Sequence, residues 1–350
     1  MLHRILLGLA LAAGLLLACS DDDPLEVTEP LVLTPSDTTE VGETPPPPGG
    51  GGGEAPAEER PDTLDTGGGD TPPHPGSEAD ASVRFAVIGD FGKEGPAAAS
   101  VAELVASWSP EFVVTTGDNN YVYGELETFD ENVGQYYCEF IYNPGAPEGY
   151  GCRGRAWRDS TNRFFPSVGN HDYLGDESIA PYLAYFDLPG NELYYTIRRG
   201  PVAFYALDSE NRNSFAAQRA WLAEQTAASD ALYHVAYFHK PPYSTAHHGD
   251  QVQMQWDFTA LGIDVVLTGH EHNYQRILGP GAGLYLVNGV GGASLRDDCF
   301  RQATAATEVV VCEDRYHGAL RATADAQSLR FEFVTADGVV RDSVSVAPRR

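Results

Sequence analysis

The chain is poor in positive charge. Its 22 Lys and Arg stand against 50 Asp and Glu, a formal net charge of −28 at pH 7, which argues against a basic groove for nucleic acid. Cysteine is scarce: five occur in 350 residues, and none sits in a Cys-x-x-Cys pair, so a structural zinc site is a poor fit. Long apolar runs are missing outside the N-terminus, and the one there, Ile5 to Leu17, is shorter than the roughly 20 residues a spanning helix needs. The chain has no internal repeat, which excludes solenoids and propellers.

The N-terminal run has instead the layout of an export signal, with Arg4 ahead of the apolar stretch. It ends in Leu16-Leu17-Ala18-Cys19, which resembles the lipobox of bacterial lipoproteins, where the Cys is lipidated and becomes the first mature residue. Residues 1–18 are therefore expected to be a lipoprotein signal peptide. Acyl chains on Cys19 would hold the exported protein on a membrane, on its periplasmic or outer surface, without a spanning helix.

Composition changes abruptly over residues 19–82. Pro45–Pro48 and Gly49–Gly53 follow one another, and sixteen acidic residues between Ser20 and Ser82 face Arg60 alone. Such a segment buries too little apolar surface to offset its ordering entropy, so it is expected to be a disordered, self-repelling linker. Residues 83–350 are long enough for one large domain with a sizeable core. Strand-like runs alternate there with helical patterns at Pro96–Ser107, Phe215–Ala227 and Gln251–Leu261, predicting an α/β fold with mainly parallel central strands. The last runs, Ala319–Thr323, Leu329–Val334 and Val339–Val346, are separated by short turns and predict an antiparallel meander. Cys138, Cys152, Cys299 and Cys312 admit three pairings; the nearest-neighbour choice, Cys138–Cys152 and Cys299–Cys312, closes two short loops, each stabilising by about 3 kcal/mol.

Five apolar runs end in polar, chemistry-bearing residues. Arg84–Ile88 leads into Gly89-Asp90, Phe112–Val114 into Gly117-Asp118-Asn119-Asn120-Tyr121, and Phe164–Val168 into Gly169-Asn170-His171-Asp172. Val235–Phe238 leads into His239, and Asp264–Leu267 into Gly269-His270-Glu271-His272. Strands that deliver such groups at their C-terminal ends build a site above a sheet edge. Asp90, Asp118, Tyr121, Asn170, His239, His270 and His272 are too many ligands for one tetrahedral metal and about enough for two ions roughly 3.5–4 Å apart, bridged by one carboxylate. Asp118, in the middle of the set, is the candidate bridge.

These motifs together resemble the five blocks of purple acid phosphatases, within the calcineurin-like metallophosphoesterases. Where most metallophosphoesterases carry Asp-x-His in the first block, Gly92 stands in the His place, and Tyr121 supplies a phenol three residues after Asp118. A phenolate is a hard anionic donor, which suits Fe(III). The resemblance implies Asp90, Asp118, Tyr121 and His272 around a ferric ion, and Asp118, Asn170, His239 and His270 around a divalent one, iron, zinc or manganese. It implies substrate-facing histidines at His171 and at His248, with His247 the alternative. The implied fold is a four-layer αββα sandwich of two mixed β-sheets, with the linker in the place of the N-terminal β-sandwich domain of the large plant members.

The implied activity is hydrolysis of small phosphomonoesters by metal-activated hydroxide, with His171 or His248 stabilising the transferring group and one of them protonating the leaving oxygen. Phosphodiester or nucleotide pyrophosphate cleavage is the alternative on the same ligands; a lipid-anchored binding protein with a degenerate site is the alternative of another class. The long connection 122–163 carries Arg153, Arg155, Arg158 and Arg163, read chiefly as a solvated loop rather than a substrate rim. Tyr243 is a candidate for the pocket border, and Asp208 for a supporting role.

Overall fold

The computed structural model describes residues 82–151, 160–174, 178–280, 283–306 and 308–349. The expected signal peptide, Cys19 and the acidic linker up to Ala81 lie outside the described residues, as do Cys152, Arg153, Arg155 and Arg158. No helix among the described residues is long and apolar enough to cross a membrane.

Two mixed sheets form the centre. In the first, β1 (Val83–Ile88), β2 (Phe112–Thr115) and β3 (Phe164–Pro166) run parallel. The C-terminal meander β11 (Gly318–Ala324), β12 (Leu329–Thr335) and β13 (Val340–Val346) extends it antiparallel from β1, as its turn signals predicted. In the second, β5 (Val202–Ala206), β6 (Tyr233–Tyr237), β7 (Val265–Thr268) and β9 (Leu284–Asn288) are parallel. Antiparallel strands complete it: β4 (Tyr195–Arg199) beside β5, β8 (Tyr274–Leu278) beside β9, and β10 (Glu308–Glu313) on the outer edge of β8. The Cys299–Cys312 disulfide is present and ties the loop before β10 to that edge strand.

Strand alternation explains how one sheet serves two interiors. On β5, Val202, Phe204 and Ala206 face the first sheet, while Ala203 and Tyr205 face the outer layer; on β6, Val235 and Ala236 divide in the same way. Both sets are buried, hence the near-continuous apolar runs in the sequence. Between the sheets, the Phe204 ring meets Phe85 and Phe112 edge-on at 5.0 and 5.4 Å, and Tyr274 stacks on Phe333 at 4.2 Å. Each fully buried aromatic there contributes about 1.5–3 kcal/mol.

Helices cover the outer faces. Helix α1 (Pro96–Ser107) starts with Pro at its first turn, where the missing N–H costs nothing, and buries Ala98, Val101, Ala102 and Val105 as one stripe. Two short helices, α2 (Gln135–Tyr137) and α3 (Ala180–Tyr185), lie in the connections on either side of β3. Helix α4 (Phe215–Ala228) buries Gln218, Leu222 and Thr226 at successive four-residue steps.

Some expectations need correction. Residues Gln251–Leu261 form no α-helix: a 3-10 turn at Val252–Met254 gives way to irregular turns. Met254, Trp256 and Phe258 are buried at every second position while Val252 is exposed, so the packing follows a two-residue period. Tyr243 does not border the pocket; its ring packs edge-on against Tyr285 in the outer core. Arg163 serves the fold, donating to the carbonyls of Glu111 and Glu139 with its guanidinium over Phe140. Asp208, by contrast, has the supporting role expected of it, accepting from the Tyr173 hydroxyl at 2.6 Å and from the N–H groups of Glu210 and Asn211.

Candidate metal centre

The five motifs follow the C-terminal ends of β1, β2, β3, β6 and β7, so the parallel pairing within each sheet brings their loops to one edge. Three of the residues concerned, Asp90, Asp118 and His270, hold left-handed backbones, with φ of 52, 51 and 70°. That region is costly for non-glycine residues and persists where surrounding bonds over-determine it. Here those bonds are backbone clasps between loops: Asp90 N–H to Gly117 O at 3.1 Å, Tyr121 N–H to Gly92 O at 2.7 Å, and Gly269 N–H to His239 O at 2.9 Å. Gly92 is required by the second clasp, because a Cβ there would overlap the carbonyl of Asn119.

Asp118 is the hub. Its Oδ2 lies 2.9 Å from the Tyr121 hydroxyl, 3.3 Å from His239 Nε2 and 4.0 Å from His171 Nε2. Its Oδ1 accepts the backbone N–H of His171 at 3.0 Å. On one side, Asp90 Oδ1 sits 3.2 Å from the Tyr121 hydroxyl and 3.4 Å from His272 Nε2, and that nitrogen is 3.3 Å from the same hydroxyl. On the other, His239 Nε2 lies 3.0 Å from Asn170 Oδ1 and 3.2 Å from His270 Nδ1. Two groups of donors thus meet at one carboxylate, and ligand atoms of Asp90, Asp118 and His239 all lie within 4.8 Å of one another. The imidazoles are aimed from behind: His239 Nδ1 is bonded to the Thr116 carbonyl at 2.9 Å and His272 Nδ1 to that of Ser294 at 2.7 Å. Each Nε2 is left pointing inward, with its ring orientation fixed by the bond on the other nitrogen.

The electrostatics fit a cation. Burial penalises ionisation of Asp118, but His239 and His171 outweigh it and hold the carboxyl well below its usual range. For His239 burial opposes charge, yet Asp118 prevails and lifts its pKa to about 10. The pocket therefore draws positive charge onto this imidazole, and a metal on Nε2 would supply it in place of a proton. The Tyr121 phenol is pushed far above its ordinary value by burial and by the carboxylates of Asp118 and Asp90. Only a strong local cation would make it a phenolate. Burial drives His270 well below its usual value, reinforced by His248 and His239, so it is a neutral, ligand-ready imidazole.

Around this set the structure places the expected substrate histidines differently. The His171 ring lies 4.3 Å from Tyr121, with Nδ1 bonded to the Val122 carbonyl at 2.6 Å. His248 packs its ring 4.1 Å from that of His270, whereas His247 packs on His248 at 4.9 Å, one ring further out. The turn bearing both is pinned from below: Glu271 Oε1 accepts N–H bonds from His248 and Gly249, and the His247 N–H reaches Asp298 at 3.0 Å. Asp172 joins the second and third loops, accepting the N–H groups of Gly169 and Asn119 and the Asn119 side-chain amide. Sequence reasoning did not single out Asp298, Asp172 or Arg296, whose guanidinium lies 3.1 Å from His248 Nε2. Asp172 stands inside a motif and offered a signal; the loop after β9 offered none.

Residues 83–274 match the family model described as calcineurin-like phosphoesterase, which spans the five motifs. The chain belongs to the calcineurin-like phosphoesterase family. Within it, curated relatives include tartrate-resistant acid phosphatase type 5 of Mus musculus, 25% identical over 258 residues, covering 62% of this chain and 74% of that protein. Purple acid phosphatase 17 of Arabidopsis thaliana is 24% identical over 258 residues, covering 63% of this chain and 72% of its own. Among solved structures, purple acid phosphatase PPD1 from yellow lupin superposes with a TM-score of 0.62 at 19% identity, over 77% of this chain and 54% of that one. GAP50, titled the anchor in the inner membrane complex of Plasmodium, superposes with a TM-score of 0.58 at 16% identity, over 77% of this chain and 90% of that one. At these identities the two structures speak to the fold.

Proposed function

We propose that this chain is a binuclear-metal phosphatase of the purple acid phosphatase type, acting on phosphomonoesters. The observation that carries the reading is Asp118 at the meeting point of two donor groups, one containing the Tyr121 phenol. Asp90, Asp118, Tyr121 and His272 would hold Fe(III); Asp118, Asn170, His239 and His270 would hold iron, zinc or manganese in the divalent state. Ions bound there supply Lewis acidity, lowering the pKa of water and neutralising phosphate charge.

The chain's own residues do the rest. Asp118 and Asp90 anchor the two donor groups, while the carbonyls of Thr116 and Ser294 lock the ring orientations of His239 and His272. His171, anchored through Nδ1 to Val122, presents Nε2 on the Asp118 side of the pocket. On this reading that nitrogen binds the transferring phosphoryl group and passes a proton to the leaving oxygen. His248 flanks the pocket on the His270 side and contributes a second contact to the phosphoryl oxygens.

Asp118→Asn tests the core of this reading. The variant should lose both metals and at least about a hundredfold in kcat/KM, because ligand and charge are removed together. Retention of two metals and the wild-type rate would refute the bridge, and wild-type protein without stoichiometric iron would favour a binding protein instead.

The reading includes a lipid anchor at Cys19 and an export signal before it, supported by the Leu-Leu-Ala-Cys sequence. Cys19→Ser should move the protein from the membrane to the soluble fraction. Unchanged fractionation would remove the anchor from the proposal.

A further inference from the structure

We propose that Arg296 is a phosphate-binding residue of this site, a permanent cation that favours dianionic phosphomonoesters over monoanionic diesters. The inference rests on the phosphoesterase reading above and adds a residue that lies in none of the five motifs.

Arg296 sits in the loop between β9 and β10. Its backbone N–H donates to the His272 carbonyl at 3.3 Å, so the start of its side chain is fixed to one candidate ligand. Its guanidinium Nη1 lies 3.1 Å from His248 Nε2. A guanidinium has no acceptor, so Arg296 donates and the imidazole receives. The His248 ring in turn lies 4.1 Å from His270. Arg296 is thus tied through its backbone to His272 and through its guanidinium and His248 to His270, the two histidines of the Gly-His-Glu-His motif.

The surrounding loop is built to hold it there. Asp298 accepts the His247 N–H at 3.0 Å and the Asn273 amide at 2.9 Å, and Cys299 is bonded to Cys312 on β10. The half-buried Arg296 thus lies on a loop clamped on both sides rather than on a free surface arm. Its partner His248 is fixed too, through its backbone bond to Glu271 at 3.0 Å.

The chemistry decides the substrate class. Arginine stays charged at any working pH and offers planar, paired donors that match phosphate oxygens. Near neutral pH a phosphomonoester carries close to two charges on three unesterified oxygens; a diester carries one charge on two. A charged donor added to the two histidines is therefore matched better by the monoester, with its extra charge and third unesterified oxygen, than by the diester. Arg296 makes and breaks no bond; it holds the phosphoryl group while other residues act.

The test compares metal-loaded wild type with Arg296→Gln and Arg296→Lys at pH 7. One readout is calorimetric binding of inorganic phosphate; the other is the ratio of kcat/KM on p-nitrophenyl phosphate to that on bis-p-nitrophenyl phosphate. Arg296→Gln should weaken phosphate binding by about tenfold to a hundredfold, as expected for loss of a charged donor. It should lower the monoester-to-diester ratio by a similar factor, and Arg296→Lys should recover part of both. If Arg296→Gln loses bound metal, Arg296→Lys carries the test, and a smaller drop in the same ratio is required of it. Phosphate affinity and ester ratio unmoved in a metal-replete variant would overturn the role of Arg296 alone. Wild-type protein that neither binds phosphate nor cleaves either ester would overturn the phosphoesterase reading, and this inference with it.

Discussion

The hydroxyl of Tyr121 lies 2.9 Å from Oδ2 of Asp118, three residues earlier in the same loop, and 3.2 Å from Oδ1 of Asp90 on the neighbouring one. The phenol is thereby set between two carboxylates that both oppose its ionisation. A buried phenol in that position is unfavourable as an anion without a cation and well matched to one with it.

Tyr121→Phe keeps the ring and its packing on His171 while removing the donor oxygen. Iron affinity should fall by at least about tenfold. The violet absorption expected of a ferric phenolate should disappear, with the circular dichroism spectrum unchanged. A variant as coloured as the wild type would take Tyr121 out of the ligand set.

Asp172→Ala removes the acceptor for three donors from two loops, the N–H groups of Gly169 and Asn119 and the Asn119 amide, at 2.8, 3.1 and 2.8 Å. Leaving buried donors unsatisfied should destabilise the fold by about 2–4 kcal/mol, measurable as a lower urea midpoint. On the proposed ligand assignment, the divalent position, to which Asn170 belongs, should lose metal more readily than the ferric one. Full stability and unchanged metal content would show that the loops stand without the Asp172 connection.

His234, on the outer face of β6, gives stability a pH dependence separate from the site. Its Nδ1 is bonded to the Gly262 carbonyl at 2.9 Å, its Nε2 is buried without a partner among the described residues, and burial lowers its pKa below the usual imidazole value. Above the ordinary pKa the ring is neutral in both folded and unfolded chains and contributes nothing. As the pH falls through about 6.5, the unfolded chain takes up a proton that the folded one resists, so stability declines with acidity. Urea melts from pH 7.5 to 5 should show this slope, reduced in His234→Gln. An equal slope in the variant would assign the effect to other groups.

Much of this was readable in the sequence because strand ends and helix stripes are local patterns. Pro96–Ser107 carries its buried positions at helical spacing behind an initiating proline, and the observed helix has the same limits. The five motifs were legible for the same reason: each follows a run too apolar to be anything but a buried strand. Gln251–Leu261 misled because its aromatic residues, rich enough for a helical stripe, are spaced for a two-residue period. Strand β8 escaped notice because Gln275 and Arg276 interrupt its apolar run, and β10 because it is half-buried and pairs with β8, well back along the chain. Arg296 could not be found at all, since its position follows from how the loop after β9 returns over His272, a relation between distant segments.

The close backbone approach at Gly92 restricts what mutation can make of this protein. The carbonyl of Asn119 occupies the volume that any side chain at position 92 would need. Installing histidine there, to imitate relatives with an imidazole in the first block, would pry apart the clasp that positions Tyr121. Exchanging the phenol for an imidazole in the first block would therefore require the two loops to be rebuilt together rather than a single substitution at position 92.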